Sequence, residues 1–258
     1  MTRAAAALEL FAGSPVALGV SEVARRLGIA KSSASYICDA LVSADLARRE
    51  GSGYQLGHRV VGLAAAYLAA ADPVQAFHAI CLQVLPTISE TLQLSTLDRG
   101  LEVSYLARRE GSAPVRLATN VGSRLIATTT ATGKAMLAQL PWSETVARLR
   151  AAGPLPRLTP RSIGAETDLR TELELVRRQG YAIDDEETLE GMFCIGRAVP
   201  TDDLTRLYGI SLTMLKSWVT DDRIRRCRLD LDRVTDAVAV RAGLVDSRRQ
   251  HGLQSLPG

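Results

Sequence analysis

The stretch VSEVARRLGIAKSSASYICDALVSADLARREGSGYQLG, residues 20–57, constrains the fold more than any other part of the chain. Val23, Ala24 and Leu27 recur at helical spacing, and Gly28 suits the left-handed turn that ends a helix. Ala34, Ile37, Cys38 and Leu41 resume the helical repeat over residues 31–44. Ser21 is the expected N-cap of the first helix, with Glu22 in its first turn. Two helices joined at a glycine make a helix-turn-helix. Residues 46–50 and 54–56 then read as short strands around the Gly51-Ser52-Gly53 tip, a hairpin or wing.

The start of the second helix presents Lys31, Ser32, Ser33, Ser35 and Tyr36. A helix end of this kind can enter a DNA major groove, where small hydroxyls permit close approach and bond to phosphate or base edges. Lys31 adds charge beside a helix N-terminus that already favours phosphate. Arg48 and Arg49 on the wing are placed for sugar-phosphate or minor-groove contact, and Arg26 joins the candidate set. Residues 24–59 carry six basic side chains (Arg25, Arg26, Lys31, Arg48, Arg49, Arg59) against three acidic ones (Asp39, Asp45, Glu50). The other reading of this face is an ordinary solvated basic surface used for protein contacts. The net charge of +3 does not decide between them.

Ala5, Leu8, Leu10 and Phe11 predict a helix ahead of this unit, ended by Gly13-Ser14-Pro15. A further helix is expected over 58–70 and broken at Asp72-Pro73; Val60, Leu63, Ala64, Tyr67 and Leu68 make it too apolar for a solvated linker. Packing against a second copy would give a C2 dimer with two reading heads on a two-fold DNA site. Beyond it the patterns predict helices at 74–92, 133–140, 166–179 and 222–242, with Gly180 stopping the third. Strands are expected at 102–107, 115–118, 181–183, 194–199 and 207–215. This irregular alternation suits a mostly antiparallel sheet rather than repeated βαβ units. The expected organisation is a DNA-binding domain at 1–57, a linker and dimerisation helix at 58–72, a larger domain at 73–244 and a flexible tail at 245–258.

Several function classes are excluded by what is missing. Cys38, Cys81, Cys194 and Cys227 are scattered without metal-ligand spacing, and only three histidines are present. The acidic run DDEETLE has no histidine beside it, and TATGKAM lacks the GxxxxGK[ST] spacing of a phosphate loop. No catalytic residues, metal or cofactor are therefore expected. No run of eighteen apolar residues is present and the N-terminus lacks a signal-peptide pattern, so a soluble cytoplasmic protein with no membrane partner is the expectation.

Residues 20–57, with their closing Tyr-x-Leu-Gly, resemble the reading head of the IclR family of bacterial transcriptional regulators. ATGKAMLAQL and GYAIDDEETLEGMFCIGRAV resemble that family's two most recognisable effector-domain segments, and the likeness spans roughly residues 4–242. It implies an α/β fold: an N-terminal winged helix-turn-helix joined by a helical linker to a GAF-like effector-binding domain. It implies a homodimer, often paired as a tetramer, on double-stranded operator DNA. Its effectors are small organic or aromatic acids and its targets catabolic or transport operons. Carried over position by position, the effector residues are Ala131, Thr132, Asp184, Cys194, Ser211 and Thr213. Period-two alternation puts Ser211 and Thr213 on one strand face, and N–H groups near Thr132 can hold a carboxylate. The residues alone also allow Asp184 as a turn acid and Cys194 as a small core side chain. Met192, Phe193, Ile195, Met214 and Trp218 either face the cavity or fill the core. Where the family usually has His or a similar aromatic followed by Arg, this chain has Ser35 and Tyr36. A second reading keeps the DNA-binding dimer but gives the C-terminal domain only oligomerisation or protein contacts, with no small-molecule effector.

Overall fold

The computed structural model describes residues 2–113 and 119–245. Residues up to Ala70 and those from Ala71 onward form two compact units. The strand expected at 115–118 and the tail beyond Val245 lie outside the described residues.

The first unit runs α1 (Thr2–Ala12), β1 (Leu18–Gly19), α2 (Val20–Leu27), α3 (Lys31–Ser43), β2 (Ala47–Glu50), β3 (Gly53–Leu56) and α4 (Arg59–Ala70). Gly28 ends α2 at φ 64°. Its N–H reaches the Arg25 carbonyl and the Ile29 N–H the Ala24 carbonyl, a pairing that satisfies the last turn of α2 and redirects the chain into α3. Ser21 is not the cap: it lies inside α2, which starts at Val20 with Gly19 at the cap position and no side-chain cap bond. Gly19 is instead the end of β1, a strand absent from the sequence reading, which pairs with β3 to make the wing three-stranded. Ala7, Phe11, Val23, Ala34, Cys38, Leu41 and Tyr54 form the core between helices and wing. Helix α4 has no buried residue, and Val61, Leu63 and Tyr67 are all more than half exposed.

The second unit is a six-stranded antiparallel sheet in the order β6-β5-β4-β9-β8-β7. Its elements are α5 (Asp72–Val84), β4 (Thr91–Leu97), β5 (Glu102–Arg109), β6 (Arg124–Ile126), α6 (Ala131–Leu137), α7 (Trp142–Ala152), α8 (Glu166–Gln179), β7 (Ala182–Asp185), β8 (Met192–Ala198), β9 (Tyr208–Leu215) and α9 (Asp221–Arg241). Asp72-Pro73 opens α5, since a proline in the first turn needs no N–H donor. The helix expected over 74–92 ends at Val84, two residues before Pro86, and residues 91–97 become β4. Alternation on β9 divides the sheet: Ile210, Leu212 and Met214 belong to the buried core, while Gly209, Ser211 and Thr213 turn to the opposite face. Helix α9 is tied to β8 by Arg197, which bonds Asp232 and Asp236. Among the described residues no single helix is long and apolar enough to cross a membrane.

Candidate functional site

Helix α6 lies on the face of the sheet that carries Ser211. A side chain on Gly196 would come 2.8 Å from the Ala131 carbonyl carbon and the Thr132 nitrogen. One on Gly209 would come 3.0 Å from Thr132 Cβ. Within α6, a Cβ at Gly133 would lie 2.1 Å from the Ala127 carbonyl oxygen. Gly196 and Gly209 thus let the start of α6 settle directly onto β8 and β9, and Gly133 lets α6 pass close to the backbone of Ala127. Thr130 caps the helix by accepting from the Gly133 N–H at 3.1 Å. The N–H groups of Ala131 and Thr132 lie in the first turn, where a helix has no acceptor of its own to offer.

Strand register assembles the rest. Asp184 on β7 stands opposite Cys194 on β8, Cys194 opposite Thr213 on β9, and Thr213 opposite Thr91 on β4. One row along, Gly196, Ser211 and Gln93 are aligned in the same way. Directly paired residues share a face, so the polar side chains of these two rows face one gap beside the start of α6. The gap is a cavity of about 90 Å³. Ala131, Thr132, Asp184, Cys194, Ser211 and Thr213 all line it. The structure therefore brings together six residues from four separate elements. Gln93, Tyr105, Thr130 and Thr188 also line it and were not foreseen. The polar wall is buried: Gln93 is 2% exposed, Ser211 3% and Asp184 4%.

The wall groups are in different electrostatic states. Asp184 Oδ1 accepts from the Glu187 N–H at 2.8 Å and the Thr188 N–H at 3.2 Å, so it is both a turn acid and a cavity wall. Burial pushes its carboxyl upward, against the pull of those hydrogen bonds and of Lys134. Cys194 Sγ lies 3.3 Å from Thr213 Oγ1. Burial and the nearby Asp184 drive its thiol pKa strongly upward, so it lines the cavity as a neutral thiol. Tyr105 is likewise held as a neutral phenol by burial. The Ser211 hydroxyl makes no hydrogen bond among the described residues. Behind the wall, the ammonium of the fully buried Lys134 is held by Glu187 and, at 3.1 Å, by Glu172. Of the bulky residues, Met192 lines the cavity, whereas Phe193, Ile195 and Met214 are buried in the core.

The DNA-facing candidates are exposed instead. Lys31 opens α3 and makes no ion pair among the described residues; Ser32 beside it is exposed and Ser33 half-buried. Tyr36 is 78% exposed, while Ser35 bonds Asp39 weakly at 3.4 Å. Arg26 is paired with Glu22 at 2.6 Å. On β2, Arg48 is held by Glu50 and Gln55, and Arg49 by Asp39. Among the described residues no group of three or more His, Cys, Asp or Glu could hold a metal ion.

Comparison with known proteins agrees with both units. Residues 1–51 match the model of the IclR helix-turn-helix domain, and residues 65–240 match that of the bacterial transcriptional regulator IclR C-terminal region. The chain is 33% identical over 200 residues to the probable transcriptional regulator SauR of Cupriavidus necator, covering 77% of this chain and 78% of that one. An IclR transcriptional regulator structure from Alicyclobacillus acidocaldarius superposes with TM-score 0.82 at 24% identity, covering 94% of this chain and 98% of that one. An IclR homolog from Microbacterium hydrocarbonoxydans, solved with 4-hydroxybenzoate, superposes at 0.70 and 22% identity, covering 92% and 98%. These family models describe DNA-binding regulators rather than enzymes and together match most of the sequence; the chain belongs to the IclR family of bacterial transcriptional regulators.

Proposed function

We propose that this chain is a ligand-responsive transcriptional regulator: a homodimer that reads operator DNA with α3 and the wing, and whose DNA affinity is set by a small organic or single-ring aromatic acid in the cavity beneath α6. The observation that carries the effector half is the convergence of Ala131, Thr132, Asp184, Cys194, Ser211 and Thr213 on one cavity, whose wall is completed by apolar Leu125, Leu189 and Met192. At about 90 Å³ it has room for roughly six to nine water-sized positions of about 10–15 Å³ each. That scale suits a compact acid. Ser211, Thr213 and the first N–H groups of α6 supply donors for a carboxylate. Asp184, with its ionised form disfavoured by burial, suits a hydroxyl or oxo group on the same molecule. The sensor domain is on this reading of the GAF-like type, and a catabolic or transport operon is the natural target for a signal of this chemistry.

On the DNA side, Lys31, Ser32, Ser33, Ser35 and Tyr36 address the major groove, with Arg26 and Arg48 at its borders and Arg49 on the wing held by Asp39 of α3. The exposed apolar side chains of α4 suit a second copy of this chain, with pairing of dimers into a tetramer as a further step. Titration calorimetry with two- to four-carbon carboxylic acids and 4-hydroxybenzoate tests the effector half. At least one acid is expected to bind the wild type, and Ser211→Ala to weaken it about tenfold by removing one charge-assisted hydrogen bond. Binding unaffected by Ser211→Ala and by Cys194→Phe, or no binding at all, would contradict the assignment and favour a domain used only for oligomerisation.

A further inference from the structure

We propose that Asp39 is a positioning residue that fixes the wing against the recognition helix, and that sequence discrimination depends on it. The inference rests on the DNA-reading role of α3. Asp39 falls seven residues after Ser32 and three after Tyr36, so it shares their face of the helix. An unpaired acid on that face would repel phosphate. Its carboxylate is instead occupied from three directions: Oδ1 takes the Arg49 guanidinium at 2.6 Å and the Tyr54 hydroxyl at 3.3 Å, and Oδ2 takes the Ser35 hydroxyl at 3.4 Å.

These contacts join three elements through one side chain: α3 by Asp39 and Ser35, β2 by Arg49, and β3 by Tyr54. Arg49 is further held with its guanidinium carbon 5.0 Å from the centre of the Tyr54 ring. Tyr54 is itself buried and stacks on Phe11 of α1 at 6.4 Å, which roots the cluster in the core of the unit. Helix and wing are therefore set in one fixed relation before any DNA arrives, and groove contact by one determines groove contact by the other. The ion pair is nearly neutral as a whole. Arg49 then acts through Asp39 rather than as a phosphate contact, unlike Lys31, whose charge has no partner among the described residues.

The test uses the full-length protein and two duplexes: one selected by the wild type from a random-sequence pool, and one unselected. Asp39→Ala and Arg49→Ala are each expected to lower the selected-to-unselected affinity ratio about tenfold, with the double variant no worse than either. The slope of log K against log salt should stay unchanged in both, while Lys31→Ala lowers it by about two, one for each head of the dimer. Asp39→Asn, which keeps an acceptor and the helix surface, should lose part of the ratio with an unchanged thermal midpoint. Tighter unselected binding with the ratio intact in Asp39→Ala, additive losses, or a slope reduced in Arg49→Ala by as much as in Lys31→Ala would overturn the proposal. Failure of the wild type to bind DNA would overturn the DNA-reading role itself, a distinct result.

Discussion

The two units handle polar chemistry in opposite ways. In the reading head, Lys31, Ser32, Tyr36, Arg48 and Arg49 lie outside a small apolar core. In the second unit, Gln93, Thr132, Asp184, Ser211 and Thr213 are all 4% exposed or less. Exposed ion pairs contribute about 0–1 kcal/mol, so isolated pairs of the head such as Arg26 with Glu22 can be traded for phosphate with little effect on folding, while the Arg49–Asp39 pair is held by its further contacts to Tyr54. Buried polar groups without partners cost about 1–3 kcal/mol each. On the proposed reading, an acid that adds hydrogen bonds to this wall stabilises the fold by mass action. Recognition of DNA and stability are separable in one unit; recognition of a ligand and stability are coupled in the other.

The sharpest contrast comes from the glycine in the first turn of α6. Gly133→Ala would place a methyl 2.1 Å from backbone oxygen and 2.4 Å from backbone Cα of Ala127, neither of which can swing aside. A loss of about 3 kcal/mol or more is expected, lowering the thermal midpoint by about 6–12 °C. Tyr36→Ala, which removes a far larger side chain from an exposed position, should move it by less than about 2 °C. Calorimetric melting of both variants checks this, and similar losses would break the comparison.

A smaller effect concerns the buried pair behind the wall. Burial raises the Glu187 carboxyl from 4.5 to about 7, with Lys134 pulling it back down. Because the folded value lies above the unfolded one, the stabilising contribution is complete below pH 4.5 and is lost as pH rises through about 7. Asp184, also raised, acts in the same direction. Glu187→Gln should therefore reduce the fall in unfolding free energy between pH 4.5 and 7.5 by about 1–3 kcal/mol, measured by denaturant titration. A slope unchanged by the substitution would show that Glu187 stays ionised throughout.

Much of this was legible in residue order, for identifiable reasons. Gly28, the apolar repeat through Leu41 and the glycine-tipped hairpin are local signals, and local structure follows them. Ser211 and Thr213 were found together because a strand has a period of two. Gln93 was missed because Leu92 and the apolar residues of α5 share a continuous hydrophobic pattern. Pro86 and the alternation of Leu92 and Leu94 with Gln93 and Ser95 were the signals that separate strand from helix. Helix α7 was passed over despite Pro141 ahead of it, and β1 and β6 are too short to carry a pattern. Lys134 read as part of an incomplete phosphate loop. Its partners Glu172 and Glu187 lie far along the chain, so the ion pair is visible only in three dimensions.

The central claim is that occupancy of the polar cavity changes the affinity of the reading head for DNA. Fluorescence anisotropy of a labelled duplex selected by the wild-type protein, with and without a saturating acid that binds by calorimetry, measures this directly. A coupling of about 1–3 kcal/mol, a change of about 5–150-fold in Kd, is expected in either direction, and Ser211→Ala should shift the acid concentration needed about tenfold upward. An acid that fills the cavity and leaves Kd for DNA unchanged would contradict the account.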